Sequence, residues 1–276
     1  MKTISFADGT AVPALGQGSW MMAEDPGRRD DEIAALRAGI DAGLTVIDTA
    51  EMYGDGAAET LVGEAIAGRR DGLFLVSKAL PRNAAPERLA RACEASLTRL
   101  GVERIDLYLL HWRGSVPLAE TVAGMERLVA DGKIARWGVS NFDRDDMEAL
   151  FAAGGTGCAT NQILYNLTRR GPELDLLPWL AGRGMPVMAY SPVEQGRLLA
   201  TPALARLAAA RGATSAQLAL AWLLDRPGIL AIPKAGRVGH VQENRGAADL
   251  TLDAELRTAL DRLFPRPPKP IPLEML

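Results

Sequence analysis

Asp48, Tyr53, Lys78 and His111 stand out by type and by place. Three of them close short runs rich in Val, Ile and Leu: Leu44–Asp48, Leu73–Lys78 and Ile105–His111. A charged residue at the end of a buried run is costly unless something pairs with it, so Asp48, Lys78 and His111 are read as neighbours that satisfy one another. Tyrosine is a poor acid at its usual pKa of about 10, but an adjacent ammonium favours the phenolate and lowers that value. Lys78 can supply the cation, Asp48 can hold it ionised and in place, and His111 can orient a substrate oxygen by hydrogen bonding. Such a set suits giving a proton to an oxygen that becomes negative, as a carbonyl oxygen does when hydride reaches its carbon. The blander reading, that runs end in polar residues because loops begin there, accounts for one or two of these positions but not for the whole set. The chain has only two histidines, His111 and His240.

Bringing these residues together requires that the ends of the apolar runs lie side by side. The strand candidates are Ala14–Gln17, Leu44–Asp48, Leu73–Lys78, Ile105–His111, Ile134–Ser140, Ala159–Ile163, Pro186–Tyr190 and Ile229–Pro233. Helical patterns fill Asp30–Ala42, Ala57–Ala67, Pro86–Leu100, Pro117–Ala130, Asp143–Ala152, Leu174–Arg183 and Ser215–Asp225. In Pro86–Leu100, for example, Leu89, Cys93, Leu97 and Leu100 recur at helical spacing behind a proline suited to a first turn. Strand–helix alternation demands a parallel sheet with helical crossovers. Eight such units of about 30 residues each point to an α/β fold, a (β/α)8 TIM barrel, rather than an open doubly wound sheet. The 276 residues fit one domain, since such barrels run to about 250. Thr3–Phe6 and Ala11–Val12 flank Asp8-Gly9, a hairpin placed to cap the barrel's bottom, and the proline-rich tail Phe264–Leu276 reads as an irregular loop over one face. All the strand ends then open on the face where barrels build active sites. In order they are Gln17, Asp48, Lys78, His111, Ser140-Asn141, Asn161-Gln162, Tyr190-Ser191 and Pro233-Lys234.

Composition narrows the function classes. A chain 48% hydrophobic and 24% charged is globular, and a net charge of −3 with pI ≈ 5.6 argues against a nucleic-acid partner. The start has no apolar leader, and no run approaches the roughly 18 apolar residues of a membrane span. Cys93 and Cys158 cannot make a disulfide framework and read as structural, so the cytoplasm is the expected compartment. No H-E-x-x-H or C-x-x-C pair offers a metal site, and one histidine on the working face is poor ligand density. The G-x-G-x-x-G, P-loop and G-x-S-x-G patterns are likewise absent.

At these residues the sequence resembles the aldo-keto reductase superfamily along nearly its whole length. Gly43–Gly54, running on through Glu59 to Gly63, is similar to the family's first signature. Ile105–Trp112, Lys133–Phe142 and Ala231–Lys234 resemble further blocks in the right order. The resemblance implies Tyr53 as proton donor, Lys78 as the group that tunes it, Asp48 as the anchor of Lys78, and His111 as the residue that positions the carbonyl. It also implies a nicotinamide cofactor bound without a Rossmann fold. Ser140, Asn141 and Gln162 would hold the carboxamide, Tyr190 would stack on the ring, and Ser191 with Pro192–Leu199 would follow the pyrophosphate. Gly18, Ser19 and Trp20 would line the pocket, with Trp112 opposite. Lys234, Arg237 and His240 would meet a 2′-phosphate beside a helix beginning near Gly239, and Glu243 and Asn244 the adenine. NADPH is therefore expected over NADH, less strongly than in relatives that carry serine at Ala235 and arginine at His240. The segment Leu110–Pro117 and the brief tail resemble a bacterial branch that includes reductases of methylglyoxal and related small aldehydes.

The readings in play are a carbonyl reductase acting on a small-molecule substrate, and a nicotinamide-nucleotide sensor or regulatory partner on the same barrel with little turnover. A metal-dependent barrel hydrolase or isomerase is disfavoured by the shortage of ligands. A monomer is the favoured state, although the sequence carries no direct mark of oligomerisation.

Overall fold

A computed structural model of the chain describes residues 1–276. Eight parallel strands form the barrel wall: β3 (Gln17–Gly18), β4 (Val46–Asp48), β5 (Phe74–Ala79), β6 (Leu107–Leu110), β7 (Trp137–Ser140), β8 (Asn161–Leu164), β9 (Val187–Tyr190) and β10 (Ile229–Ala231). Each pairs with the next in sequence, and the ring closes where Gly16 and Gly18 donate to the carbonyls of Ala231 and Pro233 at 2.9 and 3.0 Å. The crossovers are α1 (Arg29–Asp41), α2 (Ala57–Ile66), α3 (Pro86–Leu100), α4 (Leu118–Ala130), α5 (Arg144–Ala152), α6 (Leu176–Ala181) and α8 (Ser215–Leu224), with α9 (Val238–Gly246) after the last strand. All eight expected strands and all seven expected helices are present, shifted at their ends by a few residues.

The amino-terminal hairpin, β1 (Thr3–Ser5) with β2 (Ala11–Pro13), is antiparallel. Gly9 takes a φ of 84° in its turn, which glycine adopts without strain. Arg136, just before β7, donates to the Asp8 carboxylate at 2.8 Å and to Thr10 Oγ1 at 2.9 Å, while Phe6 stacks on Phe74 at the start of β5. The hairpin therefore plugs the end of the barrel opposite the strand carboxyl ends. Residues 265–276 have no regular structure, as the tail's prolines suggest.

Two helices lie outside the expected alternation: α7 (Pro202–Ala209), between β9 and α8, and α10 (Ala254–Leu263), after the barrel. Their local signals are ordinary. Pro202 opens α7, and Asp253 caps α10 by accepting from Leu256 N–H at 2.8 Å, with Leu256 and Leu260 buried on one face. They escape a count of strand–helix units because α7 shares the β9–β10 crossover with α8, and α10 follows the last strand.

Register decides what reaches the mouth. Gly18 pairs with Asp48 on one side and with Lys234 on the other, and Lys78 pairs with Leu109, two residues before His111. Side chains alternate across the sheet, so Lys78 projects inward while Ser77 projects outward. Outside the barrel, Ser77 Oγ donates to Glu59 on α2, and Glu59 pairs with Arg99 of α3 at 2.6 Å. Glu59 has no exposed surface. An isolated carboxylate there would be prohibitive, and removing one partner of a buried pair typically costs several kcal/mol. Because Arg99 is partly exposed, Arg99→Met should destabilise by about 3 kcal/mol, read in urea as a lower midpoint with an unchanged slope; an unchanged midpoint would show that water already screens the pair.

Candidate active site

Lys78 organises the mouth. Its Nζ donates to Asp48 Oδ2 at 2.8 Å, to the Thr49 carbonyl at 2.8 Å and to Tyr53 OH at 3.2 Å, which uses all three of its donors. Asp48 is also engaged on its other oxygen: Gln162 Nε2, from the opposite wall, donates to Oδ1 at 2.7 Å. Lys78, Asp48 and Gln162 are all buried. Burial pulls the pair towards its neutral forms, raising the Asp48 carboxyl and lowering the Lys78 ammonium, while each partner's charge opposes the shift in the other.

Tyr53 sits on the loop after β4, where Gly54, Asp55 and Gly56 all take left-handed conformations. Gly56 suits this turn because its φ is 90°, and a Cβ there would also have to displace the Arg99 side chain, whose Cδ would lie 2.6 Å away. Glu51 fastens the same loop to the next one by accepting from Leu80 N–H at 2.6 Å and Asn83 Nδ2 at 2.8 Å. The expectation that Lys78 lowers the Tyr53 pKa is corrected here. Burial, and behind it the Asp48 charge, push the phenol well above its ordinary value. Tyr53 is therefore a neutral phenol that holds its proton until an oxyanion forms beside it.

His111 packs edge-on against Tyr53, with ring centroids 5.8 Å apart, and lies 5.0 Å from Trp112. Burial, with a smaller effect of Lys78, pushes its pKa down to about 2. A neutral imidazole can hydrogen-bond an oxygen but is not a cationic acid, so the proton donor in this group is Tyr53.

Beside the tetrad lies a connected polar wall. Ser140 Oγ donates to the Gln162 carbonyl at 2.8 Å, Asn141 Nδ2 to the His111 carbonyl at 3.1 Å, and Tyr190 OH to Asn141 Oδ1 at 2.8 Å. Asn141 and Ser191 have φ of 59° and 47°; left-handed residues of this kind collect at functional sites. The loop after β9 is held through Glu194, which accepts from Asn166 Nδ2 at 2.7 Å and pairs with Arg169 and Arg197. Arg169 also pairs with Glu274, so the tail is tied across this face. Ser19 is buried with its hydroxyl unpartnered, Trp20 is 41% exposed and Trp112 is half-buried.

The family model described as "Aldo/keto reductase family" matches residues 14–264. The chain belongs to the aldo/keto reductase family. It is 50% identical to the methylglyoxal reductase YeaE of Escherichia coli, over all of this chain and 99% of that one. An aldo/keto reductase from Klebsiella pneumoniae, solved in complex with NADP and acetate, superposes with a TM-score of 0.96 at 54% identity, covering 100% of this chain and 99% of the other. A structure of an aldo-keto reductase from Klebsiella pneumoniae in complex with NADPH gives 0.97 at the same identity and coverage.

The fold gathers the four residues first singled out, and sets Gly18, Ser19, Ser140, Asn141, Gln162, Tyr190 and Ser191 around the same mouth. Lys234 lies three residues past β10, bridged to Gly18, while Arg237 and His240 are exposed at the start of α9, with Glu243 and Asn244 a turn further along. Sequence reasoning missed Glu32, Glu51, Asn166, Arg169 and Glu194, which hold the loops. Nothing in their sequence neighbours marks them, and only the folded chain shows which charge or N–H each one meets.

Two measurements follow from this geometry. Tyr53→Phe should cut kcat by about 10²–10⁴-fold with cofactor affinity nearly intact; retention of more than a tenth of kcat, with chemistry rate-limiting, would remove Tyr53 as donor. His111 has a folded pKa near 2 against 6.5 unfolded, so only the unfolded chain takes up that proton as pH falls below 6.5. Relative to His111→Gln, the wild type should therefore lose about 1.4 kcal/mol of stability per pH unit below that point, and parallel stability profiles would refute a neutral buried His111.

Proposed function

We propose that this chain reduces small aldehydes and 2-oxoaldehydes, methylglyoxal among them, to alcohols, using NADPH as the hydride source. The observation that carries the reading is the buried Asp48–Lys78–Tyr53 chain with neutral His111 beside the phenol. The relative named as a methylglyoxal reductase and the Klebsiella structures holding NADP and NADPH support the substrate class and the cofactor.

The residues present suit such a cofactor. Ser19 offers a buried hydroxyl without a partner in the chain. Gln162 commits its side-chain N–H to Asp48, leaving its side-chain oxygen, Oε1, for a carboxamide N–H, with Ser140 and Asn141 alongside. Tyr190 offers a flat face for the ring. In this reading Ser191 and the loop 192–199 would follow the pyrophosphate, Lys234, Arg237 and His240 would meet a 2′-phosphate, and Glu243 and Asn244 the adenine. When bound, NADPH supplies the hydride. The protein's part is then to hold the carbonyl oxygen between His111 and Tyr53, and to pass the phenolic proton as charge develops on that oxygen. Lys78, with its pKa lowered by burial, stands next to the resulting phenolate and stabilises it. A sensor without turnover has no use for this proton-transfer group.

Trp20 and Trp112 wall the mouth, and Met52 is exposed beside Tyr53. With the tail fastened across the face, the opening suits short or flat carbonyl compounds rather than steroids. No helix is long and apolar enough to cross a membrane, and a cytoplasmic monomer acting on a small molecule is the setting we infer.

The test is NADPH oxidation with methylglyoxal, an aromatic aldehyde and a steroid ketone, with and without EDTA. Turnover of the first two, unaffected by EDTA, is expected; efficient steroid turnover with poor use of short aldehydes would overturn the substrate class. His240→Arg adds a guanidinium that can fork onto phosphate, and should raise the NADPH-over-NADH ratio of kcat/KM about tenfold or more. A wild type preferring NADH, or a ratio unmoved by the substitution, would overturn the phosphate assignment.

A further inference from the structure

Arg28 lies on the loop between β3 and α1, far from any block that resembles a family signature. Barrel closure brings this loop against the end of β10, since Gly18 of β3 pairs with Lys234. Both cations face one buried carboxylate. Arg28 Nη2 and Lys234 Nζ stand 3.9 and 3.8 Å from Glu32 Oε1, while Glu32 Oε2 accepts the Ala23 N–H at 2.9 Å. Glu32 is only 2% exposed. The two cation contacts are longer than hydrogen bonds, so Glu32 attracts both charges without occupying their donors. Gly236 completes the cradle: a Cβ there would lie 2.9 Å from Arg28 Nη2 and 3.2 Å from Lys234 Nζ. The site thus holds two cations around the buried Glu32 carboxylate, with Glu24 also acting on Lys234 as an opposite charge, and leaves N–H donors of both cations free. Arg28 also acts on Lys234 as a like charge, helping burial to lower its pKa.

We propose that Arg28 is a specificity-determining residue that grips the cofactor's 2′-phosphate together with Lys234. A planar guanidinium can engage two phosphate oxygens at once, which neither Lys234 nor the imidazole of His240 can do, and Arg28, unlike Arg237, is drawn with Lys234 towards the same carboxylate. Glu32 acts as a positioning residue that keeps two mutually repelling cations together before the phosphate arrives. The inference rests on the reading of NADPH as cofactor.

Calorimetric titration of the full chain with adenosine 2′,5′-bisphosphate and with adenosine 5′-monophosphate isolates the 2′-phosphate from both pyrophosphate and turnover. The wild type should bind the bisphosphate more tightly. Arg28→Ala should weaken the bisphosphate and NADPH by about tenfold, one charge-assisted hydrogen-bonding group, while leaving the monophosphate and NADH unchanged. Arg28→Lys should fall between, keeping the charge and losing the fork. An equal loss for the monophosphate would overturn the proposal, as would an unchanged bisphosphate affinity in a protein whose wild type prefers it. A wild type with no preference for the bisphosphate would overturn both this proposal and the NADPH reading, so the two failures are distinguishable.

Discussion

A lysine ammonium with no exposed surface persists only where its three donors and its charge are all answered, and the mouth of this barrel is arranged to do that for Lys78. Asp48 answers the charge, the Thr49 carbonyl takes a second donor and Tyr53 the third. This fixes more than one side chain. Asp48 must end β4 in register with its neighbours, and Tyr53 must return over the barrel on a loop that turns through three left-handed residues. Gln162 must reach across from β8 to occupy the second Asp48 oxygen. The strands supply this at little extra cost, because a closed parallel barrel already aligns eight carboxyl ends on one face. The packing outside the barrel follows the same logic, since the residue next to Lys78 is tied to Glu59 and through it to Arg99.

The same burial that makes the pair expensive makes it useful. Low polarity raises Tyr53 and depresses His111 and Lys78, so the resting site carries a protonated phenol and a neutral imidazole. Neither group competes for the other's part. A proton held firmly in the resting state moves only when a stronger base forms beside it, and an alkoxide is such a base. The acidity of the site is therefore conditional on the reaction rather than built into the free protein. A reading of Lys78 as a cation that simply lowers the tyrosine pKa weighs charge and omits desolvation, which here is the larger effect.

Much of the architecture was legible because it rests on repeated apolar runs. Eight strand ends in order, with helices between, imply a barrel, and a barrel implies a shared face; Asp48, Lys78 and His111 fall together on that inference alone. Tyr53 is less secure from pattern, since it lies past the strand on a loop, and the family signature rather than periodicity points to it. What could not be read were the residues whose role depends on closure. Glu32 sits in an acidic first turn that looks like a solvated face, yet the meeting of β3 and β10 buries it between two cations. Glu194 belongs to a short polar loop whose partners come from the segment after β8 and through Arg169 from the tail. Helices α7 and α10 escaped because alternation has no slot for them, although Asp253 and the Leu256–Leu260 spacing mark the second locally.

Glu32 and Glu194 also show how this face stays open to ligands while its loops stay ordered. Loops over a barrel mouth cannot be fastened by a deep apolar core without filling the space a ligand needs. Here each is fastened instead by one buried carboxylate. Glu32 anchors the Ala23 backbone on the loop that carries Trp20, and Glu194 anchors the loop after β9 through Asn166, Arg169 and Arg197. Both carboxylates are largely withdrawn from water, so their attraction is screened less than that of surface pairs. Both face cations that keep part of their surface exposed, Lys234 at 27% and Arg169 at 30%. An anionic ligand entering along this path meets positive charge already oriented towards it, and the charge that orients the cations lies behind them. The arrangement places the cost of ordering the loops in the folding of the protein rather than in the binding of the ligand.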